Sequence, residues 1–92
     1  MWMNLIRDLG LKPVRVSEAW KKRDGFVFLN SYRGVIFNKH QSLIWEYLDG
    51  NHTVKEIHQL LYDFDIQEID AFILSCVELG FIEYIREEEW NI

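Results

Sequence analysis

The hydrophobic period of this chain changes between residues 38 and 40, and that change limits what the chain can fold into. In "PVRVSEAW", "GFVFLN" and "GVIFN", within residues 13–38, apolar residues recur at alternate positions, the period of a two-faced strand. From His40 onward they recur every three to four residues, the period of amphipathic helices. Strands followed by helices predict an α+β domain in which a small sheet packs on helices.

In "PVRVSEAW", Val14 and Val16 alternate with Arg15 and Ser17, and "KKRDG" reads as a polar turn ending in glycine. The next two strands are separated only by "SYR", so an antiparallel hairpin is expected. Phe26 and Phe28 fall on one face with Val27 and Leu29 on the other, and the third strand sets Val35 and Phe37 opposite Ile36 and Asn38. Both faces are apolar. Helices cover one of them easily; the other face and the open edge need cover of their own.

The helices are sharply punctuated. "HQSLIWEYLD" puts Leu43, Ile44, Tyr47 and Leu48 on one stripe with Trp45 beside it, and Gly50 stops it. Thr53 with Glu56 forms a capping box for a second helix that carries Val54, Ile57, Leu60, Leu61 and Phe64 inward. Asp65 and Glu68 repeat the pattern for a third helix, which runs to Leu79 with Gly80 just past its end. "FIEYI" adds a short final strand. Ahead of all this, Trp2, Leu5, Ile6 and Leu9 fall at helical spacing before Gly10, predicting a short N-terminal helix. The order predicts a winged-helix-like domain: a three-stranded antiparallel sheet on three helices, with that extra helix in front.

At 92 residues the chain has room for one core. With 49% hydrophobic and 15% aromatic residues, it has apolar surface to spare for a partner. One cysteine, no CxxC, no signal peptide and no transmembrane run predict a soluble cytoplasmic protein. Catalysis finds no footing. His40, His52 and His58 lack metal-ligand spacing, Ser42 and Ser75 lack a base, and no glycine-rich phosphate loop exists. Cys76 lies on the apolar stripe of Ile69, Ile73 and Val77, where a buried small hydrophobe is expected. A protein with neither catalytic activity nor a cofactor follows.

Charge is lopsided. Residues 1–40 hold eight Lys/Arg against three acids, a net +5, and residues 41–92 hold two against twelve, a net −10. Either the halves attract each other or the field steers a charged partner. Residues 66–80, the third helix, contain no Lys or Arg, so a major groove would repel it, although Lys21, Lys22, Arg23 and Arg33 could touch a phosphate backbone from turns. On this helix Ile66, Ile69, Ile73, Cys76 and Val77 share a stripe, with Phe72 and Leu79 about a quarter turn aside. That flank is either a wide core face or one wall of an apolar groove beside the last strand. A strand edge next to an apolar helix flank captures extended peptides by β-augmentation.

Asn38, "LIWEYLDG" (43–50) and "TVKEI" (53–57), continued by Ile69, Phe72, Ile73 and "LGFI", strongly resemble the PqqD-like family, named for pyrroloquinoline-quinone biosynthesis protein D. The resemblance covers residues 13–85, leaving residues 1–12 as an N-terminal extension and 86–92, "REEEWNI", as an acidic tail. It implies a non-catalytic recognition element for ribosomally made, post-translationally modified peptides. Such an element binds the leader of a precursor between its third strand and third helix. It then delivers the leader to a radical S-adenosylmethionine or other modifying enzyme or, as in lasso-peptide systems, to a leader peptidase. The expected groove comprises Val35, Ile36, Phe37 and Asn38 on the strand and Ile69, Phe72, Ile73 and Cys76 on the helix. A monomer is expected, with a domain-swapped dimer as its chief hazard; the alternative function is a winged-helix DNA-binding regulator.

Overall fold

The computed structural model describes residues 6, 8–16, 19–29 and 34–85. The expected N-terminal helix, the "SYR" connection and the acidic tail lie largely or wholly outside the described residues. Within them the chain is α+β, in the order β1 (Lys12–Arg15), β2 (Trp20–Arg23), β3 (Phe26–Leu29), β4 (Val35–Ile36), α1 (Lys39–Glu46), α2 (Val54–Leu60), α3 (Ile66–Glu78) and β5 (Ile82–Ile85).

The strands form two sheets rather than one. The antiparallel sheet β2-β3-β4 is built from neighbours in sequence, whereas β1 pairs with β5 at the far end of the chain. The strand expected first therefore leaves the main sheet, and its place is taken by "WKKR", of which "KKR" reads from sequence as part of a polar turn. The turn itself is only Asp24-Gly25, with φ of 56° and 86°, the paired left-handed conformation that two-residue hairpins require. The other edge of β1 is held by the loop after α1: Arg15 N–H donates to the Leu48 carbonyl at 3.0 Å and Gly50 N–H to the Pro13 carbonyl at 2.9 Å.

Face assignments in the main sheet follow the alternation. Val27 and Leu29 are buried, while Phe26 and Phe28 are half-buried on the opposite face. The inner face meets Ile44, Trp45, Leu48, Val54, Ile57, Ile69, Phe72, Ile73 and Cys76 in one core. Three residues expected inward are exposed instead: Leu43 and Leu60, because α1 and α2 span only about two turns each and bury a narrower stripe than the sequence pattern offers, and Ile66, the first residue of α3.

Caps fix the helix ends. Thr53 and Glu56 form the expected reciprocal box, and Asn38 with Gln41 forms a second at the start of α1. At α3, Asp65 caps the helix through Gln67 N–H, but Glu68 does not reach back; its carboxylate meets His40. Beyond α3, Gly80 at φ 82° lets Phe81 N–H reach the Cys76 carbonyl at 2.8 Å and Gly80 N–H the Val77 carbonyl at 3.0 Å, a Schellman closure that turns the chain into β5.

Candidate functional site

β4 is an edge strand, and its register decides which backbone groups it leaves free. Val35 pairs with Leu29 and Ile36 with Phe28, and Phe37 N–H continues the ladder to the Val27 carbonyl at 2.9 Å. Bonded and non-bonded pairs alternate in an antiparallel ladder. Val35 and Phe37 thus turn their polar groups toward β3, and Ile36 turns its N–H and C=O away from it. No strand among the described residues pairs with that outer side. Ile36 is also 61% exposed, the largest value for any aliphatic residue of the sheet.

Past the C-terminal end of β4 lies a shallow cleft of about 260 Å³ lined by Gln41, Glu68, Ala71, Phe72 and Ser75. Two contacts bring it to the end of β4. The Phe72 ring packs edge-on against Phe37 with centroids 4.9 Å apart, and Gln41 is tied to Asn38 by the capping box. Ala71 and Ser75, one helical turn apart, leave α3 low between them, so a bulky side chain could settle there. Glu68 closes one end, held by His40 Nδ1 at 2.9 Å, while the His40 ring stacks on Phe64 at 4.2 Å.

The expected groove residues separate into two groups. Ile36 and Asn38 are exposed, Val35 is half-buried, and Phe72 lies at the boundary, mostly buried yet reaching the cleft. Phe37, Ile69, Ile73 and Cys76 are core residues, with at most 5% exposure, and support the groove from behind without lining it. Burial pushes the Cys76 thiol up to about 12, so it is a hydrophobe and not a thiolate. The wall of the cleft is instead Glu68, Ala71 and Ser75, which sequence reasoning passed over. Their signal was available: they sit at helical spacing around Phe72, on the side away from the Ile69-Ile73-Cys76 stripe.

Two further histidines are paired with carboxylates away from the cleft. His52 Nδ1 lies 3.0 Å from Asp49, and His58 Nε2 lies 2.6 Å from Asp70, a carboxylate only 1% exposed that also accepts the Ile6 N–H at 3.0 Å. Nearby, burial and then the charge of Asp70 raise the Tyr84 hydroxyl above its ordinary value. Among the described residues no group of three His, Cys, Asp or Glu could hold a metal ion, and no helix is long and apolar enough to cross a membrane.

The arrangement offers hydrogen-bonding backbone beside a shallow, mixed cleft. No family model, curated protein or solved structure matches the chain. Functional inference therefore rests on this geometry and on the sequence pattern around Asn38, Trp45 and Thr53.

Proposed function

We propose that this protein is a non-catalytic, PqqD-like recognition element for the leader of a ribosomally synthesised precursor peptide. In this proposal the leader adds as a strand to β4 and lays alternate side chains against α3. The protein then delivers it to a radical S-adenosylmethionine enzyme, another modifying enzyme or a leader peptidase. The observation that carries the proposal is the unpaired outer edge of β4 at Ile36, with the α3 cleft joined to the end of that strand through the Phe37–Phe72 and Asn38–Gln41 contacts. Backbone pairing supplies affinity, and the cleft selects side chains. The three-stranded sheet over three helices suits a winged-helix-like frame, with residues 1–12 as an extension. The proposed setting is the cytoplasm, without membrane or cofactor, and the proposed state is a monomer.

A winged-helix DNA-binding role is the weaker reading, because the polar residues of α3 are Gln67, Glu68, Asp70, Ser75 and Glu78, with no cation to meet phosphate. The two readings part under titration. Mixed duplex DNA bound tightly and with a steep salt dependence would favour the regulator.

The direct test is to search the genes beside this one for a short precursor and to titrate the protein with a synthetic peptide of its leader half. Ile36→Pro removes an N–H that takes no part in the ladder with β3, so it should spare the sheet while abolishing leader binding; Ile36→Ala should weaken binding much less. Equal and negligible effects from both substitutions would refute strand addition.

A further inference from the structure

The outer face of the main sheet is a surface that peptide capture at the β4 edge leaves unused. Register puts Lys21, Phe28 and Ile36 in one row across the three strands, with Arg23 beside Phe26 in the next. Lys39 lies over the Phe26 ring, its Nζ 5.6 Å from the centroid. At the β2 side the surface dips into a cavity of about 340 Å³ lined by Lys21, Lys22, Arg23 and Phe28. Lys22 is paired with Glu46. Lys21, Arg23 and Lys39 are exposed and have no carboxylate partner among the described residues. Three cations without a carboxylate partner among the described residues thus border a floor of two phenyl rings and an isoleucine, in a chain whose net charge is −5.

We propose that this face is a second docking surface, and that its occupant is an acidic segment of a partner polypeptide with apolar side chains between its carboxylates. Charge complementarity calls for an anion, and the apolar floor calls for one that carries hydrocarbon. A single-stranded nucleic acid fits less well. Successive bases need successive open rings, but Lys39 occupies the face of Phe26 and leaves Phe28 alone. The −10 net charge of residues 41–92 also repels an extended polyanion more than a short acidic segment. The face meets the β4 edge at Ile36, whose side chain belongs to one and whose backbone groups belong to the other. A strand on the edge and an acidic partner on the face can therefore be bound together, and the surface stands whether or not the edge takes a leader peptide.

The test uses a short synthetic peptide alternating Glu with Leu and Phe, a matched peptide with Lys for Glu, and an oligothymidylate. Binding is followed by amide chemical shifts of the full chain at low and moderate salt. The Glu peptide should shift the amides of Lys21, Arg23, Phe28 and Ile36, and weaken as salt rises. Lys21→Glu with Arg23→Glu should reduce its affinity about tenfold or more, since each exposed contact reverses sign. Ala71→Trp, which fills the cleft on α3, should leave it unchanged. Both variants are compared at equal thermal midpoint, and Lys39→Glu serves as a second probe if the double variant unfolds early. Equal binding of the Lys peptide, shifts confined to the α3 cleft, or tighter binding of oligothymidylate on the same amides would each overturn the proposal.

Discussion

Val27 gives its backbone N–H to the Ser42 hydroxyl at 2.8 Å, so the centre of the sheet is tied to α1 by a side chain where a ladder bond to β4 would otherwise stand. The same hydroxyl donates to the Asn38 carbonyl at 2.7 Å. Ser42 is 1% exposed. Ser42→Ala should leave a buried N–H without a partner and destabilise the protein by about 1 to 3 kcal/mol. Urea unfolding measures this. A loss indistinguishable from zero would mean that β4 shifts to take the bond.

Trp45 holds the helices to both sheets. Its ring meets Trp20 edge-on at 6.2 Å and Phe37 at 5.2 Å, and Arg15 Nη1 donates to its carbonyl at 2.8 Å. Trp45→Ala should cost about 3 to 5 kcal/mol. Against a total stability of about 5 to 10 kcal/mol, expected for so small a domain, that leaves a partly unfolded population visible in near-ultraviolet circular dichroism. Trp45→Phe should cost less, because the indole Nε1 is buried without a hydrogen-bond partner among the described residues.

Gly50 and Gly80 share a φ near 81°, yet they should respond differently. A Cβ at Gly80 meets nothing within 4 Å, so Gly80→Ala should cost only the left-handed backbone penalty, about 1 to 2 kcal/mol. A Cβ at Gly50 falls 3.1 Å from both Ile85 and Val14, which adds a clash between the α1-α2 turn and the β1-β5 sheet. Gly50→Ala should therefore be the more damaging, and Gly50→Val more so, with strain at this hinge favouring exchange of helices between chains. Light scattering across concentrations should show a monomer for the unaltered protein and a dimer fraction for Gly50→Val.

Asp49 gives the protein an acid limb. Burial works against its charge, but the hydrogen bonds from His52 and the Asn51 N–H outweigh burial, and the carboxyl titrates below its ordinary 3.8. A depressed folded-state value contributes stability that is present above 3.8 and lost as pH falls through the folded value. Asp49→Asn should be less stable than the unaltered protein at neutral pH, and the gap should close below about pH 4. A gap that stays constant with pH would show that the charge of Asp49 contributes nothing.

Sequence alone was informative wherever a few neighbouring residues decide the outcome. Thr53 and Glu56 cap each other three residues apart, Gly80 reverses the chain within one turn, and the alternation through Val27, Phe28 and Leu29 assigns their faces without reference to any partner. Burial of Cys76 followed from the same kind of periodicity. The edge position of Ile36's strand was legible in the sequence, but the residues that line the cleft on α3 lie one helical step from those expected. Ile69 and Phe72 both look like lining in sequence, and the depth of the core leaves only Phe72 at the cleft.

What the sequence determined, then, was the α+β order, the helix starts at Thr53 and Asp65, and the two faces of β3, because caps and periodicities are short-range. Tertiary structure alone decided that β1 pairs with β5 across some seventy residues, that Leu60 and Ile66 stay in water, and that Ser42 replaces a ladder bond. An alternating strand such as "PVRV" satisfies its backbone equally well on either sheet; only the closing Schellman turn at Gly80 and the loop through Gly50, packed on both of its edges, select one.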